Sequence, residues 1–285
     1  MTKFARRHLR RGFLQANMGI TGGNFIIAET GTLCLVTNEG NGRMVTSIPP
    51  VHVALVGIEK VIETFDDYTT LVQVLARSAT GQPMGVYSQL LNGPRRDGES
   101  GGPQHMTVIL VDNGRSKIYN SKYTEALACI RCGGCLNACP VYEPIGGHPY
   151  GWVYSGPIGS VITPLFTGLE NATPLPYASS LCGKCKAVCP VDIDLPALLL
   201  ELRRDLVAQK HQPSYWRAGL RGWSLVSQSP RLFGFAGTVA KWGSKLLPKR
   251  RFIPLGPLGG WTRSRDVPDF APRSFHQLWE QRKKE

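Results

Sequence analysis

Residues 129–140 read Cys129-Ile130-Arg131-Cys132-Gly133-Gly134-Cys135-Leu136-Asn137-Ala138-Cys139-Pro140. A second window, Cys182-Gly183-Lys184-Cys185-Lys186-Ala187-Val188-Cys189-Pro190, repeats most of it. Three cysteines two residues apart, then a fourth before proline, is the run that wraps a loop around three corners of an iron–sulfur cubane. Thiolates are soft donors suited to iron. The fourth cysteine sits one helical turn further, faces away, and in two-cluster proteins ligates the other cluster. Crossing the windows therefore gives one cluster to Cys129, Cys132, Cys135 and Cys189, and a second to Cys139, Cys182 and Cys185. Spacing puts the missing eighth ligand at Ser179, which leaves a serine oxygen, a water or a three-iron form open. Gly133, Gly134 and Gly183 let the backbone pass close to such a cluster, and the prolines end each ligand turn. Structural zinc also uses Cys-x-x-Cys pairs, but it has no need of cysteines at two-residue spacing followed by Cys-Pro, twice. A thioredoxin-like dithiol fits less well, because the pairs overlap in a larger array.

Outward from the windows, the composition agrees with metal use of the thiols. The chain has 285 residues, 42% hydrophobic and 19% charged, which is a globular balance. Seven of its eight cysteines fall in the two windows, unlike a disulfide framework. No run of apolar residues is long enough to cross a membrane. Arg10-Arg11-Gly12-Phe13-Leu14 resembles a twin-arginine signal, but Gln15, Asn17, Gly19, Gly22 and Gly23 follow where an apolar stretch is needed. The expectation is a cytoplasmic protein in a reducing compartment. The net charge of +13 is concentrated in the tail, where residues 201–285 hold 17 Lys and Arg against 6 Asp and Glu. Lys3, Arg6, Arg7, Arg10 and Arg11 add a basic start. Such a tail suits nucleic acid, an anionic membrane surface or an acidic protein.

Three parts are expected: an α/β part over 1–118, a helical ferredoxin-type part over 119–212 and a basic helical or irregular region over 213–285. In the first, Asn24–Ala28, Thr32–Thr37, Val51–Gly57 and Met106–Val111 predict strands, Asn38–Gly42 a turn, and Glu59–Ser78 a helix by its spacing. In the second, Tyr123–Ile130 predicts one helix running into the first window, and Val141–Leu181 a long structured loop. Asp194 before Leu195-Pro196 predicts a helix start, with Asp as N-cap.

Other features carry less. Cys34 is expected to be a core thiol, and His148 a loop histidine rather than a ligand. Gly19–Gly23 and Gly40–Gly42 could cradle phosphate but, with no helix predicted to follow, read as turns. The tail's tryptophans could stack on single-stranded nucleic acid, yet no recognised nucleic-acid motif accompanies them. No nucleophile–base pair, paired carboxylates or hydride-cofactor fingerprint is present. The chain reads as a conduit for electrons rather than a catalyst alone.

The segments Cys129–Tyr142, Gly146–Tyr154, Gly156–Gly159 and Leu175–Pro196 resemble the lactate-utilisation protein B family. So do Gly19–Phe25, Ala28–Gly31, Val36–Gly40 and Val111–Arg115 upstream, and Gly256–Arg263 downstream. The resemblance implies an iron–sulfur subunit, acting with two other subunits, that carries electrons in oxidation of L-lactate to pyruvate. It implies two 4Fe-4S clusters, the second possessing three cysteines throughout the family, and a preceding domain of the sugar-isomerase or CoA-transferase-like α/β type. Family members carry a longer region before the counterpart of Phe4, so this α/β part is expected to be partial, as in a truncated frame, a fragment or a split protein. Glycolate or glycerol 3-phosphate as the oxidised substrate, a nucleic-acid-binding protein with a structural cluster, and an inactive remnant are the competing readings. The electron acceptor is undefined; no nucleic acid is expected, and a peripheral membrane contact stays open.

Overall fold

The apolar run 51–57 lies at the centre of a parallel sheet, and the chain is threaded around it. In order, the first unit, Met1–His211, contains helix α1 (Thr2–Gln15), strands β1 (Met18–Thr21), β2 (Phe25–Ile27) and β3 (Thr32–Thr37), and helix α2 (Asn41–Ser47). Strand β4 (Val51–Gly57), the short β5 (Val61–Ile62), helix α3 (Phe65–Thr80), and strands β6 (Tyr87–Leu91) and β7 (His105–Val111) follow. Helices then take over: α4 (Arg115–Tyr119), α5 (Gly134–Asn137), α6 (Tyr142–Ile145), α7 (Gly156–Thr167), α8 (Lys184–Ala187) and α9 (Leu195–Ala208). The second unit, Gln212–Glu285, holds α10 (Ser214–Ser227), α11 (Pro230–Lys245) and α12 (Phe275–Arg282). The structure, a computed structural model, describes residues 1–211, 213–245 and 271–283. The segment Gly256–Arg263 singled out above lies outside them.

Two sheets form. One is parallel, in the order β1-β4-β7, with Met18 opposite Val51 and Val51 opposite His105. The other runs β5-β2-β3-β6, a hairpin of β2 and β3 extended on both sides. Leu33, Ala54 and Val56 pack between them, with Met106 and Leu91 at the margin. Helix α3 covers the hairpin through Tyr68 and Leu75, which meet Phe25, Ile27 and Cys34. Ile130 of the first cysteine window belongs to this same core, so the α/β part and the window share apolar packing. The parallel sheet is less well covered: Ile20, Leu55 and Leu110 are 61%, 47% and 55% exposed.

Several elements differ from the sequence expectation, each for a local reason. The helix predicted from Glu59 begins at Phe65, because Val61 and Ile62 pair with Ile26 and Ile27 as strand β5. Its start is set by a capping box: the Thr64 hydroxyl accepts from the Asp67 N–H, and the Asp67 carboxylate accepts from the Thr64 N–H. Gly19 lies in strand β1 rather than a turn; a Cβ there would stand 2.2 Å from the Val45 carbonyl oxygen, so the glycine serves close packing. A helix does follow Gly40, the seven-residue α2, although the residues before it turn as predicted.

In the cluster part, the single helix expected over 123–130 is a 3-10 turn, Thr124–Ala128, that opens into extended backbone at Cys129. A continuing helix would carry successive thiols around its circumference, whereas an extended loop can turn them inward. The predicted loop 141–181 contains α7, whose residues from Gly156 to Pro164 are all buried. Its Gly and Pro content hid it. Pro157 sits in the first turn, where no N–H is required, and Gly159 permits the Tyr154 carbonyl to come within 2.3 Å of where a Cβ would be. Helix α9 starts as predicted, with the Asp194 carboxylate accepting from the Ala197 N–H at 3.1 Å. It lays Leu195, Leu198, Leu199 and Leu202 into the core shared with α7 at helical spacing.

Candidate metal centre

The two windows are conformational copies at an offset of 50 residues. Arg131 and Leu181 precede Cys132 and Cys182 with φ of 65° and 55°. Gly133 and Gly183 follow it with φ of 78° and 81°, and a single helical turn, α5 or α8, comes next. Left-handed φ on a non-glycine residue is uncommon, and its repetition at Arg131 and Leu181 marks one loop shape used twice. The offset pairs Cys132 with Cys182, Cys135 with Cys185, Cys139 with Cys189, and Cys129 with Ser179. Ser179 thus stands where the first window has its leading cysteine. Its hydroxyl accepts from the Leu181 N–H at 3.1 Å, and its carbonyl accepts from Arg203.

Four thiols line one cavity of about 230 Å³: Cys129, Cys132, Cys135 and Cys189. The remaining wall is largely apolar, from Leu136, Ile158, Val191, Ile193 and Leu195. Cys129 and Cys189 are near enough to Cys132 to oppose its ionisation, although burial is the larger cause of its raised pKa. Burial also pushes the Cys135 thiol up to about 12. Around the other set, Cys139 and Cys182 act on Cys185 in the same way, again behind burial. Cys182 is exposed, and the Lys184 N–H and Ser180 hydroxyl hold its pKa down. Cys135 and Cys185, one from each set, also sense each other. Cys129, Cys132, Cys135 and Cys189 thus share one cavity, while Cys139, Cys182 and Cys185 lie near one another.

This surrounding fits an iron–sulfur cluster. Desolvated thiols do not ionise alone, and a polycationic group is what converts them to thiolate ligands. Backbone donors already point at sulfur: Gly134 N–H to Cys132, Tyr142 N–H to Cys139 and Ile193 N–H to Cys189, at 3.5, 3.4 and 3.4 Å. Among the described residues, no three His, Cys, Asp or Glu side chains converge to hold a single ion. Tetrahedral zinc, with sulfur about 2.3 Å from the metal, needs such convergence. The thiols instead surround a volume.

Part of the wall was not visible in the sequence. Lys60, in the connection after β4, donates to the Cys129 carbonyl at 3.3 Å. Beside it, the buried Glu59 carboxylate accepts from Arg115 and pairs with Arg131 at 3.5 Å. Arg131 also lies over the Tyr154 ring, 4.5 Å from its centroid. Three cations against one carboxylate thus gather at the first window. Burial, then the Arg131 charge, pulls the Lys60 pKa down to about 8. The only sequence signal was charge in an otherwise apolar run, which the helical spacing masked. Tyr150, 3% exposed and close to Cys139, is a second such residue; its hydroxyl has no hydrogen-bond partner among the described residues.

The remaining candidates lie elsewhere. His148 faces a separate open pocket with Trp152 and Val153, lined by no cysteine. Cys34 is fully buried under α3, its thiol pushed up to about 11 by burial.

Comparison with known proteins divides the chain consistently. Residues 1–111 match the LUD domain family, 125–193 the 4Fe-4S dicluster domain, and 207–284 the family described as lactate utilisation protein B, C-terminal. Lactate utilization protein B of Shouchella clausii is 44% identical over 294 residues, covering all of this chain and 60% of that protein. The Exiguobacterium protein of that name is 46% identical over 267 residues, covering 93% of this chain and 57% of its own. Lactate utilization protein B 1 of Bacillus mycoides is 42% identical over 287 residues, again with 60% of its length matched. The chain thus spans about three-fifths of the curated relatives it matches. Among solved structures, a DUF162 family protein from Deinococcus radiodurans aligns with 35% of this chain and 56% of its own, at 26% identity and a TM-score of 0.27.

Proposed function

The chain belongs to the family of lactate utilisation protein B, and from that premise we propose that it carries electrons released when L-lactate is oxidised to pyruvate. It is a lactate-utilisation protein with an iron–sulfur domain. In our reading Cys129, Cys132, Cys135 and Cys189 hold one 4Fe-4S cluster, and Cys139, Cys182 and Cys185 hold a second. Such a cluster, when bound, takes up and gives back one electron. The observation that carries the reading is the cavity into which four thiols from both windows project. Its largely apolar lining lowers the polarity around the sulfurs, and the N–H groups aimed at sulfur offset the thiolate charge. The proximity of Cys135 to Cys185 supports a relay between the two sets. Exposed Cys182 makes the second set the natural port for exchange with a partner. The partners are two other proteins of the lactate-oxidising system, in the cytoplasm, together with an acceptor. Ser179, at the place of Cys129 in the copied loop, leaves the second cluster with three thiolates and a choice between a weak oxygen ligand and a three-iron form.

The test is anaerobic iron and sulfide analysis with electron paramagnetic resonance before and after reduction. About seven or eight irons per chain are expected, the lower figure with a three-iron signal in the oxidised protein. Cys189→Ser should remove the first cluster and spare the second, and Cys139→Ser the reverse. If each variant instead loses the cluster of its own window, the crossed scheme fails. Zinc without iron would overturn electron transfer altogether. With the partner proteins added, dye reduction driven by lactate supports the substrate; reduction driven only by glycolate or glycerol 3-phosphate replaces it.

A further inference from the structure

The second unit is built from amphipathic helices whose apolar faces point to solvent. On α10, Trp216, Leu220 and Trp223 recur at helical spacing on one face, each more than half exposed. On α11, Leu232, Phe235, Val239 and Trp242 do the same, with Phe235 68% and Trp242 71% exposed. No residue of α10 is buried, although α10 and α11 touch each other. Arg217 and Arg221 flank the apolar face of α10, while Gly234, Gly237 and Lys241 lie on the other side of α11, where Phe233 is also exposed. The charge is one-sided to an unusual degree. From residue 206 to 265 the sequence has eleven Lys and Arg and no Asp or Glu.

We propose that α10 and α11 bind the surface of an anionic lipid bilayer, with Trp216, Trp223, Phe235 and Trp242 seated at the headgroup boundary. An interfacial helix needs a well-separated apolar face, Lys and Arg beside it, and low overall hydrophobicity; these helices have all three. Tryptophan, with an apolar ring and one N–H donor, is the residue that most favours that boundary. Basic side chains at the edge of the apolar face can extend toward phosphate while their stems stay on lipid. The complete lack of acidic residues over this stretch matches a negative plane rather than a protein surface of mixed sign. A nucleic-acid platform would interleave aromatic and basic residues on one face, whereas on α10 Trp216 and Trp223 hold one face and Arg217 and Arg221 lie beside it. Among the described residues no helix is long and apolar enough to cross a membrane, so the contact is peripheral. This attachment is independent of which substrate supplies the electrons.

The experiment uses the full chain with its clusters loaded, mixed with vesicles of phosphatidylcholine alone or of phosphatidylcholine with phosphatidylglycerol. Co-flotation and a blue shift of tryptophan emission are expected with the anionic vesicles only, and both should fade as salt rises. Trp216→Ser with Trp223→Ser and Trp242→Ser should abolish binding while leaving the visible cluster absorbance unchanged. Arg217→Gln or Arg221→Gln alone should weaken it by about fivefold. No flotation with anionic vesicles at low salt overturns the proposal, as does equal binding to neutral vesicles. Retention of binding by both the tryptophan and arginine variants overturns it too. Displacement from the vesicles by single-stranded nucleic acid at equal charge concentration would reassign the face to that ligand.

Discussion

Lys60 touches no predicted ligand side chain, yet it brings a charge from outside the windows to the backbone of the first. Its ammonium holds the Cys129 carbonyl, and Glu59 beside it neutralises only part of the Arg115 and Arg131 charge. Adding an electron to a cluster adds negative charge, and nearby fixed charge sets how favourable that is. Lys60→Met should therefore move the potential of the first cluster to more negative values, and Glu59→Gln should move it to more positive ones. Potentiometric titration followed by electron paramagnetic resonance reads both. Shifts of the same sign, or loss of the signal in both, would mean that these residues only support the loop. The opposite signs are the diagnostic part, since a packing defect has no reason to track charge.

At the scale of elements, Asp205 of α9 holds the residues that lead into the 3-10 turn before the first window. Asp205 accepts from the buried Tyr123 hydroxyl at 2.6 Å and from the half-exposed Lys122 at 2.7 Å. Burial alone would raise its pKa, but the Lys122 and Tyr123 hydrogen bonds outweigh that and hold it low. A carboxylate lowered on folding contributes stability that is fully present above its unfolded pKa, about 4, and lost as pH falls through the lower folded value. Asp205→Asn should thus cost about 1–2 kcal/mol at neutral pH, most of it from the Tyr123 bond. In urea titrations the midpoints of the two proteins should converge below pH 4; a constant gap across pH would remove ionisation from the account. The elements legible in the sequence were those with a strong local signal: the cysteine spacing, the β-rich and apolar runs Thr32–Thr37 and Val51–Gly57, and the Asp194 cap. Those missed are decided by tertiary contacts. Val61 and Ile62 fit a helical period as well as a strand, and only pairing with β2 chooses. Helix α7 carries Gly156, Gly159 and Pro164, each locally unfavourable, and exists because it is enclosed by α9 and the cluster loops. For the site, the thiols could be read from spacing, whereas Lys60 arrives from a distant segment and Tyr150 from a short 3-10 turn between the windows, and neither leaves a periodic trace.

At the scale of the whole molecule, the seven window cysteines all lie in Met1–His211, and the lipid-facing helices all lie in Gln212–Glu285. A chain ending at His211 should keep the iron content and visible spectrum of the full protein and lose vesicle binding. Iron lost on that truncation would show that the second unit helps to complete the cluster sites. The cavity itself, by contrast, is assembled across a long stretch of chain: its first three thiols end at Cys135, while its last wall runs from Cys189 to Leu195. A ribosome adding about 5–20 residues per second takes roughly 3–12 s to make the intervening sixty. Throughout that interval the leading thiols have emerged, or are emerging, with no enclosure and no fourth partner. Dioxygen and stray metal ions then meet them in their most reactive setting. On the proposed reading, the vulnerable period for these thiols is the synthesis of the intervening stretch, and iron and sulfide delivered before the chain passes Leu195 would not be enclosed.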